Sequence, residues 1–395
     1  MTSIAIPSGF AQPAPSASIF SPRVASPPPG PGPGSRAIPA HQAFPSSSST
    51  VVSAASTAPP ITHPFPTLES LKASSGNLEH QSDAEKIAWA QDVYRVVERQ
   101  TRPVHLSTSS ETPKPRKVSG SLTVLLNLAL PIIISSTSHS DREISALASY
   151  LKGIFSSTGL CPDYLPRDPR QAFKEFESAA RGGETRGWFM LGRDYESVGD
   201  EGRARDCLDR GVKKGDTECN YRMGMAHLLG QLGFPPNPSL AIPYLIQAAE
   251  GSTVDVPHPA YVYGMLLAGD FELPPSLPPI PEELLGPSAD VRGMMARENI
   301  DKAAYLCHPP AQYKCGLSYE HATLGCPYDP LMSVQWYSLA SQGGEVEADM
   351  ALSKWFLCGA EGNFGKNEDL ARTFAEKAAR RGHPNGCFAM GYYFE

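Results

Sequence analysis

Five side chains of the types that bind zinc lie between residues 307 and 326. They are Cys307, His308, Cys315, His321 and Cys326. A structural zinc site needs four such ligands in a tetrahedral arrangement, and compact sites usually pair them a few residues apart. The spacing here matches no compact zinc motif. Cys307 lies at a position that recurs along the chain, and Cys315 lies beside one. We therefore interpret both as packing residues, and we predict no metal and no cofactor.

Sequence signatures of catalysis are also absent. The chain contains no G-x-S-x-G, H-E-x-x-H or G-x-x-x-x-G-K-[ST] motif. The "GPGPG" of residues 30–34 lies in a low-complexity stretch and is not a phosphate-binding loop. His227 and His258 have no obvious acidic partner in the sequence. We predict that the protein is not an enzyme.

Composition bounds the class of protein. The chain has 395 residues, a net charge of −7, 41% hydrophobic residues and 19% charged residues. This is enough apolar material for a sizeable core. The most basic stretch is "PKPRK" (Pro113–Lys117), which we interpret as a solvated linker, so nucleic-acid binding is not predicted.

The N-terminus and the cysteines indicate the compartment. "MTSIAIPSGF" lacks the basic and apolar regions of a signal peptide. The eight cysteines are scattered without a C-x-x-C pair, which favours free thiols in the cytoplasm. The longest apolar run, Leu122–Ile134, is too short to span a membrane and contains Pro131, so we predict a buried helix there and no transmembrane segment.

Four regions follow from local composition. Residues 1–80 are rich in Pro, Ser, Ala and Gly and are predicted to form a disordered tail. Residues 81–100 form an amphipathic helix in which Ser82 and Glu85 make a capping box. Residues 101–120 are a polar linker. Residues 121–395 carry an internal repeat.

The repeat is a pair of small residues nine positions apart. Gly224 lies inside the helix-like stretch "YRMGMAHLLG", where glycine costs about 1 kcal/mol relative to alanine, and Gly215 precedes it by nine residues. Successive second positions are separated by 32 residues (Gly192 to Gly224) to 52 residues (Gly264 to Gly316). A fixed motif with variable spacers indicates one structural unit joined by loops of different length. The repeat-packing residues are Gly183, Gly192, Gly215, Gly224, Gly264, Gly316, Gly344, Gly382 and Gly391.

Each unit has the local chemistry of a helix pair. First helices begin with an Asx-Pro pair, at Asp168, Asn237 and Asp329, which suits the cap and the first helical position. The first glycine ends that helix, and the second allows close approach of two helix backbones. Trp188, Trp336 and Trp355 fall at helix positions and are predicted to pack between units, with an exposed binding anchor as the alternative for one of them. The prediction is an all-α solenoid, a superhelix of α/α hairpins with about six to seven repeats.

The ensemble "AA-x-x-G … A-x-x-x-LG-x-x-Y" resembles the Sel1-like repeat, a relative of the tetratricopeptide hairpin. The resemblance covers roughly residues 142–395. "LGCPYDPLMSVQWYSLASQGG" resembles the fungal chitin synthase activator family, and "NYRMGMAHLLGQLG" resembles more closely the kinase-interacting mitosis-inhibitor branch. Because "MGYYFE" stops inside a second helix, we expect the last repeat to be truncated. The chain ends without a prenylation box, so a lipid anchor is not predicted.

The resemblance implies a non-catalytic adaptor of the cytoplasm, cell cortex or septum. Its protein partner would be a kinase or a chitin synthase. A Sel1-like hydrolase is the alternative from another functional class. Some secreted relatives join their hairpins by disulfides, but the register of Cys307 and Cys315 and the expected compartment argue against one here. The side chains expected to be exposed for partner binding are Arg193, Tyr195, Arg222, Tyr319, Glu320, Lys354 and Trp355.

Overall fold

The computed structural model describes residues 60–101, 118–162 and 164–394. Within these residues the regular structure is helical, with no β-strand. The predicted tail lies outside the described residues from 1 to 59. The predicted linker lies outside them from 102 to 117.

Four α-helices come first in the chain, and the last of them belongs to the regular array. They are α1 (Leu68–Ser75), α2 (Asp83–Thr101), α3 (Gly120–Ser136) and α4 (Arg142–Thr158). Helix α1 corrects the expected tail boundary at residue 80. It forms because Thr67 and Ser70 make a capping box and Leu71 is buried beside Trp89, whose indole N–H donates to the Leu71 carbonyl at 3.3 Å.

Helix α2 is amphipathic and begins where its capping box predicts. The Ser82 backbone N–H donates to the Glu85 carboxylate at 2.8 Å, and the Glu85 N–H donates to the Ser82 hydroxyl at 3.3 Å. Its buried face includes Ile87, Val93 and Val97. This face packs against α3, the apolar run predicted to be a buried helix.

Twelve further α-helices follow within residues 164–394 and form an α/α solenoid together with α4. Each packs beside its neighbours in the chain, and the closest pairs are an even-numbered helix and the odd-numbered helix that follows it. Their bounds are α5 (Pro169–Gly182), α6 (Arg186–Ser197), α7 (Glu201–Lys213), α8 (Thr217–Leu229), α9 (Pro238–Glu250), α10 (His258–Ala268), α11 (Ala289–Tyr305), α12 (Pro309–His321), α13 (Pro330–Gly343), α14 (Val346–Cys358), α15 (Glu368–Ala379) and α16 (Pro384–Phe394).

The Asx-Pro pairs cap helices as the sequence predicts. The carboxylate of Asp168 accepts two backbone N–H groups at 3.0 Å at the start of α5, and Asp329 does the same at the start of α13. Asn237 accepts the Leu240 N–H at 3.2 Å. At the other end of α5, Gly183 adopts a left-handed conformation (φ 115°), which lets the chain turn sharply into α6.

The core runs along the whole array because each helix buries one face on its neighbours. Tyr337, Phe155 and Phe176 are its largest fully buried side chains. Trp188 and Trp336 are also buried, as the sequence predicts. The solenoid is thus held together by apolar contacts that continue from one helix pair to the next.

Candidate protein-interaction surface

The second small residue of each repeat lies where two helices touch. A Cβ atom built at Gly224 would lie 2.8 Å from the side chain of Leu245 on α9, and one built at Gly316 would lie 2.6 Å from Tyr337 on α13. A Cβ atom built at Gly264 would lie 2.8 Å from the side chain of Ile300 on α11. These distances are shorter than carbon atoms tolerate, so a side chain there would force the two helices apart.

Two positions depart from this pattern. Ser353 replaces glycine on α14, and its hydroxyl donates to the Ala371 carbonyl of α15 at 2.8 Å. Gly391 on α16 has no neighbouring atom within 4 Å of a built Cβ, since no described helix follows it. The recurring position therefore holds a small residue wherever a described helix packs against it.

A row of aromatic side chains runs along one side of the solenoid. Each member lies three residues before the small residue of its helix. Three of them contact a residue at the start of the next even-numbered helix. The Arg186 guanidinium lies 4.4 Å from the Tyr150 ring centre, His258 lies 4.7 Å from Tyr221, and His308 lies 5.1 Å from Tyr261. The row, here named the aromatic ladder, consists of Tyr150, Phe189, Tyr221, Tyr261 and Tyr313.

Turns that are distant in the chain converge beside the ladder. The Asp255 carboxylate, in the turn before α10, accepts hydrogen bonds from Arg95 of α2 at 2.5 and 2.8 Å and from Gln91 at 3.2 Å. Arg186, at the start of α6, reaches the same carboxylate at 3.4 Å. The turns before α6 and α10 touch although the turn before α8 lies between them. The solenoid therefore curves toward this side, which we name the inner surface.

The electrostatics of the inner surface depend on burial. Burial by itself would raise the pKa of Asp255, but the hydrogen bonds and charge of Arg95 and the charge of Arg186 hold it below its ordinary value. Glu218 lacks such a close cation. Burial, reinforced by the charges of Asp216 and Glu98, raises the pKa of Glu218 to about 8. The inner surface thus combines an ionised, clamped carboxylate with a carboxyl group that is protonated at neutral pH.

Burial also controls the pKa values of the ladder tyrosines. Burial raises the pKa of Tyr221 to about 12, against a small opposing effect of the Arg222 charge. Burial also raises the pKa values of Tyr150, Tyr261 and Tyr313. Their hydroxyls therefore remain protonated. Beside the charged Asp255 cluster, the inner surface thus carries aromatic rings whose hydroxyl groups are protonated.

Two of the seven residues expected to be exposed for partner binding are buried. Arg222 is only 6% exposed, because its guanidinium is paired with the Glu196 carboxylate at 2.7 Å and donates to Gln231 at 2.8 Å. Trp355 is 9% exposed, and its indole N–H donates to the Ser333 hydroxyl at 3.1 Å. Their expected exposure was wrong because both satisfy polar groups inside the helix array.

The other five residues have separate neighbours. Tyr195 packs edge-to-face on Phe173 with ring centres 5.4 Å apart, Tyr319 accepts from Arg297 at 3.1 Å, and Glu320 accepts from the Tyr337 hydroxyl at 2.6 Å. Arg193 is partly exposed and Lys354 is exposed. These contacts join Tyr195 to α5, Tyr319 to α11 and Glu320 to α13, and they do not assemble the seven residues into one site.

The aromatic ladder was not predicted from the sequence, although a signal was present. The residue three positions before the recurring small residue is aromatic in five of the repeats that precede α14, and Met350 takes the place in α14. Aligning the chain on the small residues would have displayed this column. The convergence at Asp255 has no such signal, because it depends on curvature.

The cysteine and histidine cluster is dispersed by the fold. Cys315 and Cys326 are buried beside Arg297, whereas the Cys307 thiol faces the His63 carbonyl. In the part of the chain that the structure describes, no three His, Cys, Asp or Glu residues are grouped so as to hold a metal ion. None of the described helices has the length and apolar character needed to cross a bilayer.

The Sel1 repeat family matches four segments of the chain, residues 146–184, 217–252, 309–345 and 346–383. Each segment contains an even-numbered helix and the odd-numbered helix after it, which are the two helices that meet at the recurring small residue. The chain carries Sel1 repeats in these four segments. Its repeat unit is shifted by one helix from the unit chosen in the sequence analysis, which paired each Asx-Pro helix with the helix that follows it.

Two curated fungal proteins are homologous to this Sel1-repeat chain. "Chitin synthase regulatory factor 4" of Schizosaccharomyces pombe is 31% identical over 262 residues, which cover 64% of this chain and 40% of the relative. "Chitin synthase regulator SKT5" of Saccharomyces cerevisiae is 23% identical over 270 residues, which cover 66% of this chain and 35% of the relative. The chain therefore spans well under half the length of these relatives.

A solved structure shows a partial likeness. The Sel1 repeat protein from Oxalobacter formigenes is 15% identical, and the alignment covers 74% of this chain and 99% of that protein with a TM-score of 0.48.

Proposed function

We propose that this Sel1-repeat protein is a non-catalytic scaffold that binds a protein partner through its inner surface. The observation that carries the proposal is the aromatic ladder, which places large, amphipathic rings in register along one side of a curved array. Tyrosine is enriched in protein interfaces because it offers large contact area and a polar tip at low entropic cost. Repetition of one contact per helix pair gives an extended binding surface suited to a polypeptide.

The relatives' names support a choice of pathway. Both curated relatives are named as chitin synthase regulators. We propose that this chain regulates a fungal morphogenesis pathway at the cell cortex or septum, with a chitin synthase as the partner class that the relatives favour. A protein kinase of a cell-cycle pathway is the second candidate, supported by the resemblance of the stretch around Gly224 to the mitosis-inhibitor branch.

Affinity capture with matched variants tests the scaffold proposal. The full chain would be used as bait in fungal lysate, with captured proteins identified by mass spectrometry. We expect recovery of a chitin synthase, or of a kinase if the second candidate holds, and we expect the double variant Tyr221→Ala, Tyr261→Ala to lose at least 80–90% of the captured partner (about 1–1.4 kcal/mol). Tyr328→Ala is the matched control because Tyr328 is an exposed tyrosine outside the ladder.

Two results would contradict the proposal. One is capture of neither wall, septation nor kinase proteins by the wild-type chain. The other is full capture by a ladder variant that has the same thermal melt as the wild type. The hydrolase alternative requires turnover in an activity screen that is abolished when Cys307 or Cys326 is replaced, and we expect none.

A further inference from the structure

The first residues that the structure describes lie along the turn between α11 and α12, which is far from them in the sequence. Residues 60–66, here named the strap, have no regular secondary structure. The His63 backbone N–H donates to the Tyr305 carbonyl at 2.7 Å, and the Cys307 thiol donates to the His63 carbonyl at 3.4 Å. The His63 ring also meets Tyr305 edge-to-face at 6.0 Å. The backbone of His63 is thus held on both sides.

An aromatic side chain of the strap is held by a cation. The Arg99 guanidinium, near the end of α2, lies 4.7 Å from the centre of the Phe65 ring. Arg99 also lies beside the end of α13, since a Cβ built at Gly343 would be 3.4 Å from its guanidinium. Three elements therefore form one site: the end of α2, the α11–α12 turn and the end of α13. This site holds an extended backbone and one aromatic ring.

The strap and α2 are attached in different ways. The face of α2 that includes Ile87, Val93 and Val97 is at most 2% exposed and belongs to the core. In the strap, His63 is exposed and Phe65 is only partly buried. Segments with few buried apolar contacts open locally at much lower free-energy cost than core helices. The strap can therefore leave the site while α2 stays in place.

The strap's contacts are of a kind that another peptide can reproduce. Two of them are hydrogen bonds to the His63 main chain, which do not depend on the side chain. The His63 ring against Tyr305 and the Phe65 ring under Arg99 each need only an aromatic ring. Ile61, which packs against the core, needs only an apolar side chain. Pro64 and Pro66 flank Phe65 and hold the strap backbone extended, so little entropy is lost when such a segment is seated.

We propose that the strap is a releasable intramolecular occupant of a peptide site, and that an extended, proline-flanked aromatic segment of the partner binds there in its place. This inference rests on the proposed scaffold function and names the chemical class of the partner segment. The seated strap then weakens partner binding. The partner binds only molecules whose strap has left the site, so its apparent affinity falls in proportion to the fraction of such molecules.

A synthetic peptide with the sequence of residues 60–67 is the probe, and its binding to the full chain is measured by fluorescence polarisation. Phe65→Ala weakens the seated strap, so we expect this variant to bind the peptide about 3–30-fold more tightly than the wild type, the range expected for loss of one cation–π contact. Adding Arg99→Ala should abolish the gain. Equal affinity of wild type and Phe65→Ala, or no binding by either, would overturn the proposal.

Hydrogen exchange on the unmodified chain gives a test that needs no variant. The His63 amide should exchange at least about 100-fold faster than core amides of α2, as expected for local opening. Exchange as slow as that of α2 would mean that the strap does not release. The two proposals fail separately: capture of a partner without peptide binding would leave the scaffold standing, and peptide binding without a captured partner would leave only the strap.

Discussion

The α8–α9 and α14–α15 junctions occupy equivalent places in the repeat but are built from different chemistry. At α8–α9, Gly224 lets the helices touch through apolar groups, with Leu245 directly over the glycine. At α14–α15, Ser353 takes the glycine's place and bonds to the Ala371 carbonyl. The repeat therefore requires a small residue at this position and leaves its polarity free.

A buried ionic cluster accompanies the polar junction. Asp349, fully buried on α14, is paired with Lys377 of α15 at 2.8 Å and accepts from the Ser341 hydroxyl at 2.5 Å. Arg381 lies 3.4 Å from the same carboxylate. The α8–α9 junction relies on shape, whereas the α14–α15 junction relies on mutually satisfied charges, so the two should fail under different substitutions.

The largest effect is expected at the ionic junction. Asp349→Ala leaves Lys377 without its buried counter-charge and should lower the free energy of unfolding by about 3 kcal/mol, toward the lower end for a broken buried pair because Lys377 is partly exposed. Urea denaturation measures this. Asp369→Ala on exposed α15 surface is the control and should change stability by less than about 0.5 kcal/mol. Equal losses for both variants would contradict the ionic description.

Overpacking should break the apolar junction. Gly224→Leu places a side chain where a Cβ alone would lie 2.8 Å from Leu245, and should cost about 2–3 kcal/mol in unfolding free energy. Gly391 is the matched control because it has open space around it. Gly391→Ala should stabilise α16 by about 0.5–1 kcal/mol through helix propensity. A melt of Gly224→Leu identical to wild type would show that the packing face is elsewhere.

A pH series separates the two junctions further, because α8 also carries Glu218. The folded-state pKa of Glu218 is about 8, above its ordinary value of 4.5, so the folded chain retains a proton that the unfolded chain loses. Stability should therefore fall as pH rises from about 4.5 to 8. Glu218→Gln should remove about 1–2 kcal/mol of that fall, a figure reduced for partial exposure of the side chain. An unchanged pH profile in the Gln variant would contradict it.

The smallest effect is expected at Ser353. Ser353→Ala keeps a small side chain and removes one hydrogen bond, and the Ala371 carbonyl retains its bond within α15, so the loss should be about 0.5–1 kcal/mol. Ser353→Gly copies the α8 junction but adds the helix cost of glycine, and should lose about 1 kcal/mol more. If Ser353→Gly were the more stable of the two, small size alone would decide the junction.

The repeat was predictable because its signal is local. Glycine at a fixed offset, Asx-Pro caps at Asp168 and Asp329, and apolar helix faces each depend on residues close in the chain. Which two helices form one repeat unit was not predictable in the same way. The first glycine gives a clear turn signal between α5 and α6, but the closest packing lies between helices that are joined by longer loops in every pair except α6–α7.

The inner surface could be predicted only in part. The aromatic ladder has a sequence signal that alignment on the small residues displays. The pairing of Arg95 with Asp255 joins residues 160 positions apart and depends on the curvature that many small helix rotations accumulate. The burial of Arg222 depends likewise on Glu196 from another helix, so its exposure could not be read from residue type.

The Asp255 clamp also bears on mechanics. A solenoid pulled from its two ends extends like a coiled spring, by small rotations shared among all its turns. Here Arg95 and Arg186 fasten non-adjacent coils to one carboxylate, so the segment from α2 to α10 resists extension until those pairs separate. A partner attached at both ends of that segment would meet more resistance to extension than a solenoid without these ion pairs offers. The ion pairs of Asp255 would be the first contacts to bear the tension.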